Sequence, residues 1–544
     1  MAAILLWMAS LVAGLVAYFC YGIFRPGSSK RRQQDQSPKR IVYAFFHPHA
    51  SGGGGGERVL WKMIQFLQSS QHRCLRCGTI WKKENDNNNQ IENDNADEVE
   101  IVIFTIDPPS TKERDLRLDA ERRFDVSIPK KVRLVSLQEY KDYLSPRPFL
   151  SMVMESWGTM KLARRALLET ILNKEQSGRT PYSDCDEFIF CDTTGCAFTF
   201  AVVRWMCRAT TVTTIRILAY VHYPTISTDM MLWEWQKSKS NNTGTTTATI
   251  SIQTRIRTIL KLGYYYLFSV AYGLCGSLAD LVMVNSTWTY NHIHSLWRFR
   301  SAIQRKEQPI QIVYPPCRIP VSDNDVNDGS CGDARENTIV SIGQFRPEKN
   351  HKLQIQALSV LFKQHPELKE NQIQIHQTDD SNSATLVKLL LIGSCRNDSD
   401  RARVDELKKL VNELDLNDHV VFSINPPYHE LQASMQKASI GIHTMRQEHF
   451  GIGIVEMMAG GLLTIAHDSG GPKSDIIVDV TGSAATGFLA TTAEEYAEAM
   501  HKALTLDTKE ADAMRQRAKI SAERFSDEAF DKSLEKVFPL LYRC

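Results

Sequence analysis

Residues 441–477, GIHTMRQEHFGIGIVEMMAGGLLTIAHDSGGPKSDII, constrain the fold more than any other stretch of this chain. An apolar alternation ends at His443, and a polar loop runs over 445–449. A glycine-spaced turn, Phe450-Gly451-Ile452-Gly453, then opens a short apolar helix over 454–459. A buried strand over 462–466 and a second glycine loop over 468–472 follow, with a new helix start at Lys473. Strand, glycine loop and helix, repeated without pause, predict a parallel α/β sheet. The start of a helix offers unpaired amides and the positive end of its dipole, which suit an anion such as a diphosphate. Gly451 and Gly453 let a ligand approach the backbone. Glu448 and Glu456 flank the turn as E-x7-E, one on the loop and one inside the helix, placed for the two ends of an elongated anionic ligand. Glycine turns precede many helices, and two such glutamates are often merely solvated. Local chemistry alone leaves the two readings evenly balanced.

The same grammar recurs near the amino terminus. An apolar strand over 41–46 leads through His47-Pro48-His49-Ala50-Ser51 into five glycines, among them Gly53, Gly54, Gly55 and Gly56, and a helix starts at Glu57. Five consecutive glycines match G-x-G-x-x-G trivially, and a flexible linker is the bland alternative. Strand and helix signals abutting the loop on both sides favour the opening of a βαβ unit. Further strands are expected over 99–105, 132–135, 187–191, 216–221, 338–342, 386–392, 420–422 and 438–443. Helices are expected over 428–437 and 525–541, and a last turn over 487–489. His222 closes one of these strands, where it serves either a backbone hydrogen bond or chemistry. Gly343, Arg346 and Lys349 follow another; two cations after a strand make good partners for phosphate oxygens, though such loop residues are normally only solvated.

A chain of 544 residues predicts roughly two to four domains. A hydrophobic fraction of 43%, a charged fraction of 23% and a net charge of +2 exclude a disordered chain and a nucleic-acid binder driven by bulk charge. The twelve cysteines show no disulfide spacing, which fits a reducing compartment, and Cys74-x-x-Cys77 lacks the second ligand pair a zinc site needs. Residues 2–24 carry no charge, enough apolar chain for a bilayer core of about 20 residues. Arg25, Lys30, Arg31, Arg32, Lys39 and Arg40 follow, so the expectation is a membrane anchor with a cytosolic body and unused sequons at Asn241, Asn285 and Asn397. The tyrosine-rich run 260–279 reads either as a buried core helix or as a helix in the membrane interface; a second span is disfavoured. The Asn-rich run 84–97 and the polar run 238–249 read as insertions.

The Glu448–Glu456 segment resembles the E-x7-E signature of retaining GT-B glycosyltransferases. That resemblance implies an α/β fold with two Rossmann-like domains facing across a cleft, preceded by a transmembrane helix. The implied divisions are 1–40 (anchor and basic linker), 41–315 (acceptor domain), 316–520 (donor-nucleotide domain) and 521–544 (a helix returning to the first domain). It implies that Glu448 lies by the donor sugar, that Glu456 holds the nucleotide ribose, and that the amides of Phe450, Gly451 and Ile452 hold the diphosphate. The pattern Gly343-x-x-Arg346-x-x-Lys349 matches the diphosphate-binding pair of the same enzymes. The glycine loop would lie over donor phosphates and acceptor, His222 would face the acceptor or the reaction centre, and no metal is expected. FFHPHASGGGGGERVLW, YVHYPTISTDM (220–230) and MVNSTWT (283–289) narrow the resemblance to the mannosyltransferases of the endoplasmic reticulum that extend the lipid-linked precursor of N-glycosylation. The implied partners are GDP-mannose, a dolichol-linked oligosaccharide, the reticulum membrane and other mannosyltransferases of the pathway, with no nucleic acid. Two alternatives stay open: another membrane-associated retaining GT-B enzyme using a different nucleotide sugar, and a non-catalytic subunit that keeps the fold.

Overall fold

The structure, a computed structural model, describes residue 14 and residues 40–69, 98–108, 110–145, 150–172, 182, 185–206, 214–243, 252–319, 335–370, 386–478 and 485–542. Apart from residue 14, the apolar segment 2–24 lies outside the described residues, as do the Cys74–Cys77 pair and the run 84–97. Two compact units form: one comprises the chain up to Asn285, Thr289–Val313 and the chain from Asp531, the other Ser286–Trp288 and Tyr314–Phe530.

The first unit is built on seven parallel strands. In chain order its elements are β1 (Arg40–Phe46), α1 (Gly55–Gln68), β2 (Glu98–Thr105), α2 (Glu113–Phe124), β3 (Arg133–Ser136), α3 (Ser151–Leu167), β4 (Glu187–Asp192), α4 (Phe198–Met206), β5 (Thr214–Val221), α5 (Thr228–Thr243), α6 (Ile252–Gly276), β6 (Leu281–Val284), α7 (Thr287–Leu296), α8 (Ala302–Glu307) and β7 (Gln311–Ile312). The strand order is β3-β2-β1-β4-β5-β6-β7. Central strands of a parallel sheet are covered on both faces, so they read as unbroken apolar runs. IVYAFF in β1 and EFIFCD in β4 are buried throughout. Val42, Phe46, Val102, Phe188, Phe190 and Ile217 anchor the core, each such side chain contributing about 1.5–3 kcal/mol on burial.

The second unit repeats the plan: β8 (Glu336–Ile342), α9 (His351–Gln364), α10 (Pro366–Lys369), β9 (Lys388–Gly393), α11 (Asp398–Glu413), β10 (Val420–Ile424), α12 (Tyr428–Lys437), β11 (Ala438–Ile442), α13 (Ile452–Ala459), β12 (Leu463–His467), β13 (Phe488–Ala490), α14 (Ala493–Thr505) and α15 (Thr508–Ala522). Its order, β10-β9-β8-β11-β12-β13, is again all parallel. In each unit the order reverses beside the first strand, between β1 and β4 and between β8 and β11. Crevices at such reversals, outside the carboxyl ends of the strands, are where ligands bind in open α/β sheets.

Several local expectations change. Residues 487–489 are not a closing turn; Phe488–Ala490 pairs with β12 as the edge strand. Lys473 opens no regular helix but lies in one wide turn, Pro472–Ile476, closed by Ile477 N–H to Pro472 O at 2.8 Å. The helix expected over 525–541 is α16 (Asp527–Val537) followed by a tight turn, Phe538–Tyr542. Pro539 lacks the amide that would continue it. The last residues pack within the first unit: Tyr542 Oη lies 3.0 Å from Tyr43 Oη, and Arg216 donates to Leu541 O at 2.9 Å. Residues 521–530 group with the second unit.

Among the described residues no helix is long and apolar enough to cross a membrane, and no disulfide joins the described cysteines. Asn285 is buried, its amide donating to His222 O and its carbonyl accepting from Thr289, so this sequon has no access for a glycan. The Asn397 side chain caps α11 by accepting from the Asp400 amide.

Candidate active site

In the second unit the reversal lies between the loops leaving β8 and β11, and those loops carry Lys349 and Glu448. Lys349 Nζ donates to Glu448 Oε2 at 2.5 Å, joining residues 99 apart in sequence. The Thr444 hydroxyl fixes this meeting. It donates to the carbonyls of Lys349 and Asn350 at 2.9 and 3.1 Å and accepts from Gln354 at 2.9 Å. His443, just past β11, lies with Nε2 3.1 Å from the same Glu448 oxygen, and its carbonyl is held by Tyr496 Oη. Burial alone would raise the Glu448 carboxyl. The His443 hydrogen bond and the Lys349 charge outweigh it and hold the group well below the usual carboxylate range. Burial pushes the His443 imidazole down, against the raising effect of the Glu448 carboxylate that its Nε2 faces. His351, at the start of α9, is pushed down to about 4 by burial and then by the positive charge His443 and Lys349 bring near it.

The backbone around Glu448 is clamped by the second glycine loop. Gln447 N–H donates to Ser469 Oγ at 2.8 Å, and Gly471 N–H donates to Glu448 O at 2.8 Å. A Cβ at Gly470, whose φ is +64°, would sit 2.3 Å from Glu448 O, so a side chain there would displace the loop. Gly451 caps α13, and Phe450 is buried against Tyr314 and Phe525. Ile452 and Gly453 begin the helix, where the first amides precede any intrahelical acceptor. Glu456 lies half-buried one turn on. Arg346 does not join Lys349 on Glu448; it pairs with Glu348 at 2.6 Å and stands half-exposed. Gly343 leaves β8 with its amide on Ile392 O, packed against the Lys349 stem.

In the first unit the β1–β4 reversal carries the other expected residues. Gly54 N–H donates to Glu57 Oε2 at 2.8 Å, and a Cβ at Gly52 would lie 2.4 Å from Glu57 Oε1. The glycine loop therefore wraps the Glu57 carboxylate, and a side chain at Gly52 would push that carboxylate aside. His47 Nε2 stands 3.6 Å from Glu57, and its Nδ1 meets Thr193 Oγ1 at 2.7 Å. Thr193 spends its proton on Phe46 O at 3.1 Å, so His47 Nδ1 is the donor in that pair. Burial opposes ionisation of Glu57, and the His47 contact and the loop amides overcome it and lower its carboxyl. Ser51 ties the loop to Asp107 through both its amide and hydroxyl, at 2.8 and 2.7 Å. His222, one residue past β5, rests half-buried on Tyr220, its ring 3.7 Å from where a Gly56 Cβ would be. Gly53 faces Arg123, and Gly55 begins α1. At the end of β4, Asp192 is fully buried. Its Oδ1 accepts from the Thr194 amide and hydroxyl, Oδ2 has no partner among the described residues, and burial pushes the carboxyl up to about 7.

Among the described residues one triplet of potential metal ligands stands together, His365, Glu367 and His501. It lies past the carboxyl end of α9, whose other end carries Lys349, and its two imidazoles are stacked face to face at 3.6 Å.

Residues 40–297 match the family model described as ALG11 mannosyltransferase N-terminus, and residues 332–521 match Glycosyl transferases group 1. The chain is 35% identical, over 95% of its length and 91% of the relative's, to the GDP-Man:Man(3)GlcNAc(2)-PP-Dol alpha-1,2-mannosyltransferase of Xenopus laevis. It is 36% identical to the protein of that name from Homo sapiens, over 92% and 87% of the two chains. The chain belongs to this mannosyltransferase family. Solved structures agree in fold. Anabaena Alr3699/HepE in complex with UDP and glucose covers 92% of this chain and 98% of its own, with TM-score 0.51 and 16% identity. The Candida albicans trehalose-6-phosphate phosphatase N-terminal domain covers 94% and 98%, with TM-score 0.56 and 12% identity. At such identities the likeness shows the fold alone, and the fold is α/β of the GT-B type.

For this member of the mannosyltransferase family, sequence reasoning passed over His443, Thr444, Glu57, His47, Thr193 and Asp192. His47 sat in the quoted FFHPH run, and Glu57 at the third position of α1 is a recognised capping position. Nothing in the sequence around Asp192 announces a buried acid.

Proposed function

We propose that this chain transfers mannose from GDP-mannose in α-1,2 linkage, with retention, to dolichol-diphosphate-linked Man3GlcNAc2 and then Man4GlcNAc2. The proposed setting is the cytosolic face of the endoplasmic reticulum membrane, in N-glycan precursor synthesis, with residues 2–24 as a single-pass anchor and other mannosyltransferases of the pathway as neighbours. The observation that carries this reading is identity of 35–37% over more than nine-tenths of the chain to relatives bearing that enzyme's name. The Lys349–Glu448 pair at the β8–β11 reversal supports it chemically.

In this reading the first-turn amides of α13, Lys349 and Arg346 take up the charge of the departing diphosphate, which is electrostatic stabilisation of a leaving anion. Glu448, kept ionised by its partners, orients the mannose and stabilises cationic character at its anomeric carbon. Glu456 holds the ribose. The acceptor hydroxyl attacks the face the diphosphate leaves, its proton passing to a diphosphate oxygen as the sugar–phosphate bond breaks, and His222 and the glycine loop position the acceptor. The mechanism calls for no metal. Purified full-length protein, given GDP-mannose and a lipid-diphosphate-linked Man3GlcNAc2, should add two hexoses that an α-1,2-specific mannosidase removes. Transfer from UDP-glucose with none from GDP-mannose would overturn the reading.

A further inference from the structure

Ser286–Trp288 group with the second unit, although Asn285 before them and Thr289 after them belong to the first. Ser286 lies in the loop after β6, and Thr287 and Trp288 open α7. Loops of the second unit hold these three residues. Thr287 donates its amide to the Asp475 carboxylate at 3.0 Å and its hydroxyl at 2.5 Å. Tyr314 Oη donates to the same buried carboxylate at 2.9 Å, and the Tyr314 ring packs on Phe450. Trp288 is itself buried, its ring stacked on His449 with centroids 5.3 Å apart and planes 26° from parallel. His449 and Phe450 are the two residues after Glu448. Rings held by one carboxylate, directly or through the preceding residue, therefore pack against both.

The Glu448 loop calls for such support. Gln447, just before Glu448, has φ +55°, a left-handed conformation that a non-glycine residue keeps only where its surroundings enforce it. Ser469 holds the Gln447 amide on the amino side of Glu448. On the carboxyl side the hold comes from Trp288 and Tyr314. We propose that Trp288 is a positioning residue for mannosyl transfer: stacked on His449, it keeps the Glu448 loop in the conformation where the carboxylate meets both Lys349 and His443. Offset stacking fixes the plane of the imidazole as well as its distance, which aliphatic bulk alone does not. Resting on the role proposed for Glu448, this support acts on turnover, where misplacing a group by about 1 Å costs about 100-fold. In the same reading GDP is held by Lys349 and the first-turn amides of α13, so its affinity is largely spared.

The test compares Trp288→Phe, Trp288→Leu and Trp288→Ala in the full-length protein. It reads kcat for transfer from GDP-mannose, GDP affinity by calorimetry, and hydrogen exchange over 446–452 without ligand. Trp288→Leu and Trp288→Ala should lower kcat about 50-fold and speed exchange in that segment about fivefold, with GDP affinity within about threefold. Trp288→Phe, which keeps a ring on His449, should bring kcat and exchange to within about threefold of the unaltered protein. Should Trp288→Ala fail to fold, the Trp288→Phe and Trp288→Leu pair, both bulky, carries the comparison. Equal kcat in that pair would reduce Trp288 to core packing and overturn the inference. So would parallel losses of kcat and GDP affinity, or exchange unchanged in every variant. If the unaltered enzyme transferred no mannose, the functional reading would fall, while exchange over 446–452 still judged the support Trp288 gives.

Discussion

The two units use one topology and set the acid at its reversal oppositely. In the first, Asp192 ends β4, buried without a cation, and is pushed up to about 7. In the second, Glu448 follows β11, its side chain 13% exposed, and is held ionised by His443 and Lys349. The strand plan therefore decides where a group stands, and its neighbours decide its charge. The first reversal is closed on itself: His47, Glu57 and Thr193 satisfy one another and hold the glycine loop. In the proposed function the second is held by a pairing that a ligand would exchange, its diphosphate competing with Glu448 for Lys349. A buried ion pair adds little net stability but poises charge for use.

The largest expected effect is at the second reversal. Glu448→Gln should lower transfer about a thousandfold, the scale of losing a group aimed at developing charge, while GDP affinity by calorimetry stays within a few-fold. Normal turnover would remove its catalytic role and the contrast with it.

Asp192→Asn sharpens the contrast through pH. With its folded value near 7 and its unfolded value near 4, Asp192 keeps a proton that the unfolded chain has lost. Wild-type stability should therefore fall as pH rises from about 4 to 7 and level off above. The asparagine variant should lack that fall and be more stable at pH 8 by about 2–4 kcal/mol, read from denaturant melts. Glu448 carries the opposite sign: its contribution is present above its unfolded value near 4.3 and is lost as pH falls below it.

Lys349→Met should weaken GDP binding about 10- to 100-fold, the loss of one charge-assisted contact at about 1.5–3 kcal/mol. Arg346→Ala, removing a half-exposed side chain already paired with Glu348, should cost only a few-fold. Reversed magnitudes in titration would mean Lys349 serves only as a counter-ion. Smallest, Glu57→Gln should loosen the glycine loop, costing about 1 kcal/mol of stability and lowering kcat/KM about tenfold with GDP affinity unchanged. A loss of GDP affinity instead would make the first reversal a nucleotide site as well.

Most central strands were legible because burial on both faces writes an apolar run, as at 41–46 and 187–191; the four-residue central strand Leu281–Val284 was missed. Of the edge strands, β3 and β10 were expected at 132–135 and 420–422, whereas Gln311–Ile312 and Phe488–Ala490, two and three residues long, are too short to write a pattern. The break at Pro539 was readable and was passed over. Spacing drew attention to Lys349 and Glu448 separately. Their contact depends on strand order, which no local pattern encodes; the hold of His443 on the same carboxylate is made within the one loop that follows β11. Asp192 was invisible because its character comes wholly from the surrounding core.

Backbone hydrogen exchange with and without saturating GDP tests the central claim most directly. The account predicts slowed exchange across residues 343–350 and 446–455, where Lys349 and Glu448 stand. Unchanged exchange in both segments would contradict it.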